Sequence, residues 1–99
     1  MGVVVSKKLS ASGMIFTGES ILSHMLLGTD GVNDPTITIY DGTDNTGEEI
    51  VPTTTYDSSA LGLNGFTLTH VLEFIIGIYV EITCSGTVEV CCGYKSGRS

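Results

Sequence analysis

Pro35-Thr36-Ile37-Thr38-Ile39-Tyr40-Asp41-Gly42 decides how this chain is read. From Thr36 to Tyr40 apolar and polar residues alternate, so an extended strand sends Ile37 and Ile39 to one face and the threonines to the other. The polar connection Asp41-Gly42-Thr43-Asp44-Asn45-Thr46-Gly47 then turns the chain into a second strand, Glu48 to Tyr56. Pro52 lies inside that run and has no N–H to donate to a ladder, which places the strand at a sheet edge.

The same pattern extends outward in both directions. Residues 3–9 form a Val-rich stretch that ends at Ser10-Ala11-Ser12-Gly13. Met14 to Glu19 reads as a strand with Met14, Phe16 and Gly18 on one side. Ile21 to Leu27 fits either a strand or a short helix; the close bracketing by Gly18 and Gly28 and the turn Thr29-Asp30-Gly31 favour a strand. Ser58 to Gly65 is the loosest segment, and Thr67 to Phe74 alternates again with Leu68, His70, Leu72 and Phe74 sharing a face. The glycines punctuate turns.

At the C-terminal end Ile78, Val80 and Ile82 form one apolar face, continued by Val88 and Val90. A hairpin with the loop Cys84-Ser85-Gly86 sets Ile82 opposite Val88, Val80 opposite Val90 and Ile78 opposite Cys92. It puts Gly86 at the left-handed position of a bulged turn. This register also opposes Glu81 to Glu89, a like-charge pair that either splays into water or meets a basic neighbour. The expected architecture is all-β: a single small β-sandwich or barrel-like domain of about seven or eight short antiparallel strands. Residues 1–9 form an N-terminal arm or first strand and residues 10–99 the β-sandwich domain.

Composition agrees. Among 99 residues, nine Val, nine Ile and thirteen Thr favour strands, and a hydrophobic share of 41% supports one core. The formal charge is −7, and Lys7, Lys8, Lys95 and Arg98 all lie near the chain ends. Nucleic acid is therefore not an expected partner, because phosphate binding needs a basic face. Nor is a membrane: Val71 to Val80 is broken by Glu73 and too short for a spanning helix. No secretory leader is visible. Met1-Gly2-Val3-Val4-Val5-Ser6 fits a myristoylation pattern, but an apolar first strand explains it more simply. Cys84, Cys91 and Cys92 are odd in number and without framework spacing, so free thiols folded in a reducing cytoplasm are expected.

Catalytic, cofactor and metal sites are all expected to be absent. Counted from Asp41, a helix-loop-helix calcium site would need Gly at Thr46 and an acidic ligand at Pro52, so the acidic connection is read as a turn. His24 and His70 lack Cys-x-x-Cys companions, and His70 is read as a partly buried, hydrogen-bonded side chain. Cys92 is read as a core residue and Cys91 as an outward thiol opposite Tyr79, neither having a base or cation to activate it.

Two stretches, Thr36-Ile-Thr-Ile-Tyr-Asp-Gly-Thr-Asp-Asn-Thr-Gly-Glu-Glu-Ile50 and Gly77-Ile-Tyr-Val-Glu-Ile-Thr-Cys-Ser-Gly-Thr-Val-Glu-Val90, together resemble small β-sandwich structural proteins of tailed bacteriophages. Cys84 departs from the glycine-like turn position of that pattern, and Cys91-Cys92 is unusual for it. The resemblance implies a virion component without catalysis, assembled in the host cytoplasm, foremost a capsid cement or decoration protein. Its implied partners are the major capsid protein or other virion proteins, and its implied state is a homo-oligomer, a trimer by preference. The contact residues expected are Val3, Val4, Val5, Lys7 and Lys8 on an N-terminal arm, with Glu81 and Glu89. A neck, tail or fibre-associated protein is the nearest alternative. A carbohydrate-binding module is a further one, for which the absence of Trp and the scarcity of other aromatics leave a poor platform.

Overall fold

The computed structural model describes residues 5–58 and 64–97, with backbone alone for 64–71. Those residues form eight strands in chain order: β1 (Val5–Leu9), β2 (Gly13–Thr17), β3 (Ser20–Thr29), β4 (Thr36–Asp41), β5 (Glu48–Thr55), β6 (Asn64–Phe74), β7 (Gly77–Thr83) and β8 (Val88–Ser96). One antiparallel sheet has the order β1-β8-β3-β6, the other β2-β7-β4-β5. Only β4 and β5 are both consecutive and paired. Around that hairpin β3 pairs with β6, β2 with β7 and β1 with β8, so the chain is one long hairpin rolled over into two layers. This is the strand order of a jelly roll.

The core lies between the sheets. Leu22, Met25, Leu27, Phe74, Val88, Val90 and Cys92 enter it from the first sheet, and Ile15, Ile37, Ile39, Ile78 and Val80 from the second. Ile37 and Ile39 face inward as the alternation requires, and β5 with its Pro52 is an edge strand. Leu22 and Met25 are three residues apart, yet both reach the core because the ladder shifts register between Leu22 and His24. The extra residue, Ser23, reverses the alternation there. A second shift between Met14 and Phe16 buries Ile15 while Phe16 still packs on the core, against the ring of Tyr94 at 5.4 Å. Met14 and Phe16 therefore do not define the buried side of β2.

The expected C-terminal hairpin does not form. β7 pairs with β2 and β4, whereas β8 pairs with β1 and β3 in the other sheet. Val80 lies opposite Ile39 and Gly13, Val90 opposite Leu27 and Leu9, and Ile78 is not beside Cys92. Residues 84–87 cross between layers, so the two apolar faces meet across the core instead of along a ladder. Glu81 and Glu89 fall on different sheets, which removes the like-charge pair. Cys92 is fully buried, but Cys91 is registered with Lys8 and Leu26, not Tyr79. Nor are all glycines at turns: Gly93 sits inside β8, where the His24 ring occupies the space a Cβ would need.

Candidate functional site

The connections gather at two ends of the sandwich, and aspartates hold them. At one end Asp41, closing β4, accepts backbone N–H bonds from Ile75 (3.1 Å), Ile76 (2.8 Å) and Gly77 (3.2 Å). Burial pushes its carboxyl up, but these N–H groups of Ile75, Ile76 and Gly77 outweigh that, and the net result lies below the ordinary carboxylate range. Gly18 N–H bonds to the Ile76 carbonyl at 2.7 Å, tying the β2–β3 turn to the same tip. Ile75 and Ile76 themselves point outward, 62% and 54% exposed.

The other end is built similarly. Asp30 Oδ1 accepts from the N–H groups of Val32 and Asn33, each at 2.9 Å, and its Oδ2 accepts from Asn33 Nδ2 and Thr87 N–H. Hydrogen bonds, led by the Asn33 backbone, hold the Asp30 carboxyl well below its usual range. Asp34 Oδ1 takes both the N–H and the hydroxyl of Ser58, and Ser12 Oγ accepts from Ile82 N–H at 2.7 Å. At the tip of this braced end, Val32 is 79% exposed. Much of the acidity of the sequence is thus loop bracing. Asp44 does likewise within its own turn, accepting from Thr46, whose hydroxyl and backbone bonds lower its carboxyl.

On the outer face of the second sheet Tyr40 and Tyr79 are directly opposed, with ring centroids 6.3 Å apart. The Tyr40 hydroxyl donates to Glu81 Oε1 at 3.0 Å, and Asn45 Nδ2 donates to Glu81 Oε2 at 3.0 Å. Burial, then the Glu81 bond and charge, push the Tyr40 phenol up. Hydroxyl pairs Thr38–Thr53 (2.7 Å) and Thr36–Thr55 (2.9 Å) continue this polar face toward the β5 edge. Alternation along the sequence does not bring Tyr40 and Tyr79 together, because it does not pair β4 with β7. Their signal was positional, since Tyr40 follows the inward Ile39 and Tyr79 lies between the inward Ile78 and Val80.

Of the sequence-derived contact residues, Val3 and Val4 lie outside the described residues. Val5, Lys7 and Lys8 lie on β1, an edge strand paired with β8, and Val5 is 42% exposed. Lys8 Nζ is 3.7 Å from Glu89 Oε2, both well exposed, so Val5, Lys7, Lys8 and Glu89 lie along one sheet margin and Glu81 stands on the other layer. His24 Nδ1 is 3.3 Å from Ser23 Oγ, which donates to the Gly93 carbonyl at 3.0 Å. The side chain of His70 lies outside the described residues. Burial, with the neighbouring Cys91, raises the Cys92 thiol to about 12. Among the described residues, no three of His, Cys, Asp and Glu are grouped to hold a metal ion. The chain matches no model of a known protein family, and no curated protein matches it in sequence.

Proposed function

We propose that this chain is a non-enzymatic structural subunit of a bacteriophage virion, a capsid cement or decoration protein that docks on the major capsid shell. The observation that carries the reading is the pair of exposed apolar tips at opposite ends of the sandwich. Ile75–Ile76 is pinned by Asp41 and Val32 by Asp30. An apolar residue on a braced loop is already ordered before contact, so little conformational entropy opposes docking. Two such tips let one small domain bridge two neighbouring surfaces, which is what reinforcing a junction between capsomers requires. Copies repeated over a shell multiply a weak individual contact. The jelly-roll order is compatible with this use, being found in capsid and lectin domains alike, and does not choose the function by itself.

The test is co-sedimentation of the purified chain with particles lacking it, followed by imaging of the decorated particles. Ser at Ile75, Ile76 or Val32 should each weaken binding about tenfold, the scale of losing one buried aliphatic side chain, with Tm unchanged because all three are exposed. Density at capsomer junctions supports the cement reading. Density at the neck or tail moves the chain to that alternative. No binding to any particle overturns the proposal.

A further inference from the structure

The strands of the two sheets differ in formal charge. Strands β1, β8, β3 and β6 hold Lys7, Lys8 and Lys95 against Glu73 and Glu89. Strands β2, β7, β4 and β5 hold Asp41, Glu48, Glu49 and Glu81 and not one Lys or Arg. On that second face Glu81 is held by two neutral donors, the Tyr40 hydroxyl and the Asn45 amide. Among the described residues its carboxylate is oriented with no cation paired to it. Beside it stand the half-buried rings of Tyr40 and Tyr79. A fixed carboxylate with two tyrosine rings beside it suits a cation, which gains ion pairing with Glu81 and contact with the aromatic rings.

The lysines of the same molecule do not fill this socket, because they sit on the opposite layer, on β1 and β8. A second copy can supply them. Lys7 is exposed on β1, whose outer backbone edge has no strand beside it among the described residues. Among the described residues Lys8 is held by one exposed pair with Glu89, the kind of surface contact that exchanges easily.

We propose that the Tyr40–Tyr79–Glu81 face of one copy receives the Lys7–Lys8 edge of a second copy. The inference rests on the structural-subunit reading and names the partner of its acidic face. The contact joins two different surfaces, so repetition gives a closed ring where the rotation closes and an open chain where it does not. A ring of three would accord with the trimer that the phage resemblance implies.

Sedimentation velocity over a concentration series, at low and high salt, tests it. The full chain should self-associate, and added salt should weaken that association. Glu81→Gln, nearly isosteric, and the double change Lys7→Glu/Lys8→Glu should each weaken association about tenfold, the scale of one close interfacial charge pair. Glu81→Lys combined with Lys7→Glu/Lys8→Glu in one chain should restore it, a rescue that a folding defect would not give; unchanged Tm for Glu81→Gln checks the fold independently. A chain that stays monomeric at low salt and high concentration overturns the contact, as does association indifferent to these changes. A saccharide that binds this face and is lost in Tyr79→Ala, without self-association, assigns it to a sugar and also overturns the proposal. Particle binding measured in parallel separates the two claims. A monomer that decorates particles sinks this contact alone, whereas rescued self-association without particle binding supports the contact and removes the virion reading.

Discussion

Replacing Asp41 isolates the bracing on which the Ile75–Ile76 tip depends. Oδ1 receives Ile76 N–H at 2.8 Å and Ile75 and Gly77 N–H at 3.2 Å each, while Oδ2 receives only Ile75, at 3.1 Å. Asp41→Asn keeps the first oxygen and replaces the second with a donor that faces another donor. It also removes the charge that strengthens every bond in the set. Asp41→Ala removes all acceptors. Ile75 and Ile76 are exposed and regain water, so the buried Gly77 N–H carries most of the uncompensated cost. The expected destabilisation is about 1 kcal/mol for Asn and about 3 kcal/mol for Ala. For a domain of this size each 1 kcal/mol lowers Tm by roughly 4–8 °C. The folded carboxyl lies below its ordinary value of 3.8, so its contribution is complete above that pH and is lost as pH falls through the folded pKa. The gap between wild type and Asp41→Ala should therefore narrow as the pH drops below 3.8. Thermal melts of the three proteins from neutral to strongly acidic pH read this directly. Equal losses for Asn and Ala would refute the assignment of Oδ1 as the anchor. A gap that does not depend on pH would refute the charged staple altogether.

Other residues give shorter tests. Gly93→Ala should lower stability by about 1–3 kcal/mol, because the new methyl meets the His24 ring, and His24→Ala in the same chain should recover part of that loss in urea titrations. Cys84 and Cys91, both partly exposed, should react with a disulfide reagent before Cys92, whose thiol is raised to about 12; equal rates would contradict its burial. Pro52→Val adds a donor to the exposed β5 edge and should promote edge-to-edge association by light scattering without lowering Tm. Because β4–β5 is the one local pairing and β1–β8 the most distant, Val51→Ala should slow refolding more than Leu9→Ala, which should mainly speed unfolding in stopped-flow chevrons.

The strands were legible because alternation is a local signal. Ile37 and Ile39 inward and Pro52 at an edge each follow from a few neighbouring residues, whereas Ile21 to Leu27 fits a strand or a short helix until its bracketing glycines are weighed. The acceptors of the loop brackets were not legible. Asp41 follows a strand and precedes a glycine like any turn carboxylate, and only the fold brings residues 75–77 to it. The tyrosine face was hidden for a related reason. Alternation reveals that Tyr40 and Tyr79 share the parity opposite to the core, but not that β4 and β7 are neighbours. The bulge at Ser23 defeats parity itself, since one unpaired residue reverses every side chain beyond it.

Which strands pair is the harder question, and here one signal in the sequence pointed the right way. The run Ile78-Tyr79-Val80-Glu81-Ile82 and the run Val88-Glu89-Val90 have compatible apolar faces whether they lie side by side in one sheet or face each other across a core. Hydrophobic matching cannot separate those arrangements, because both bury the same residues, and the Ser85-Gly86 turn serves either. Charge does separate them. Side by side, Glu81 opposes Glu89 with no cation between. Across two layers, Glu81 lies opposite Thr38 and within reach of Tyr40 and Asn45, while Glu89 meets Lys8. A like-charge opposition produced by an otherwise well-matched register is thus evidence against the pairing, not merely a cost attached to it. The rolled hairpin resolves that opposition by the same crossing that sets β7 and β8 in different sheets, and it leaves the lysines on one layer and Glu81, with no cation paired to it among the described residues, on the other.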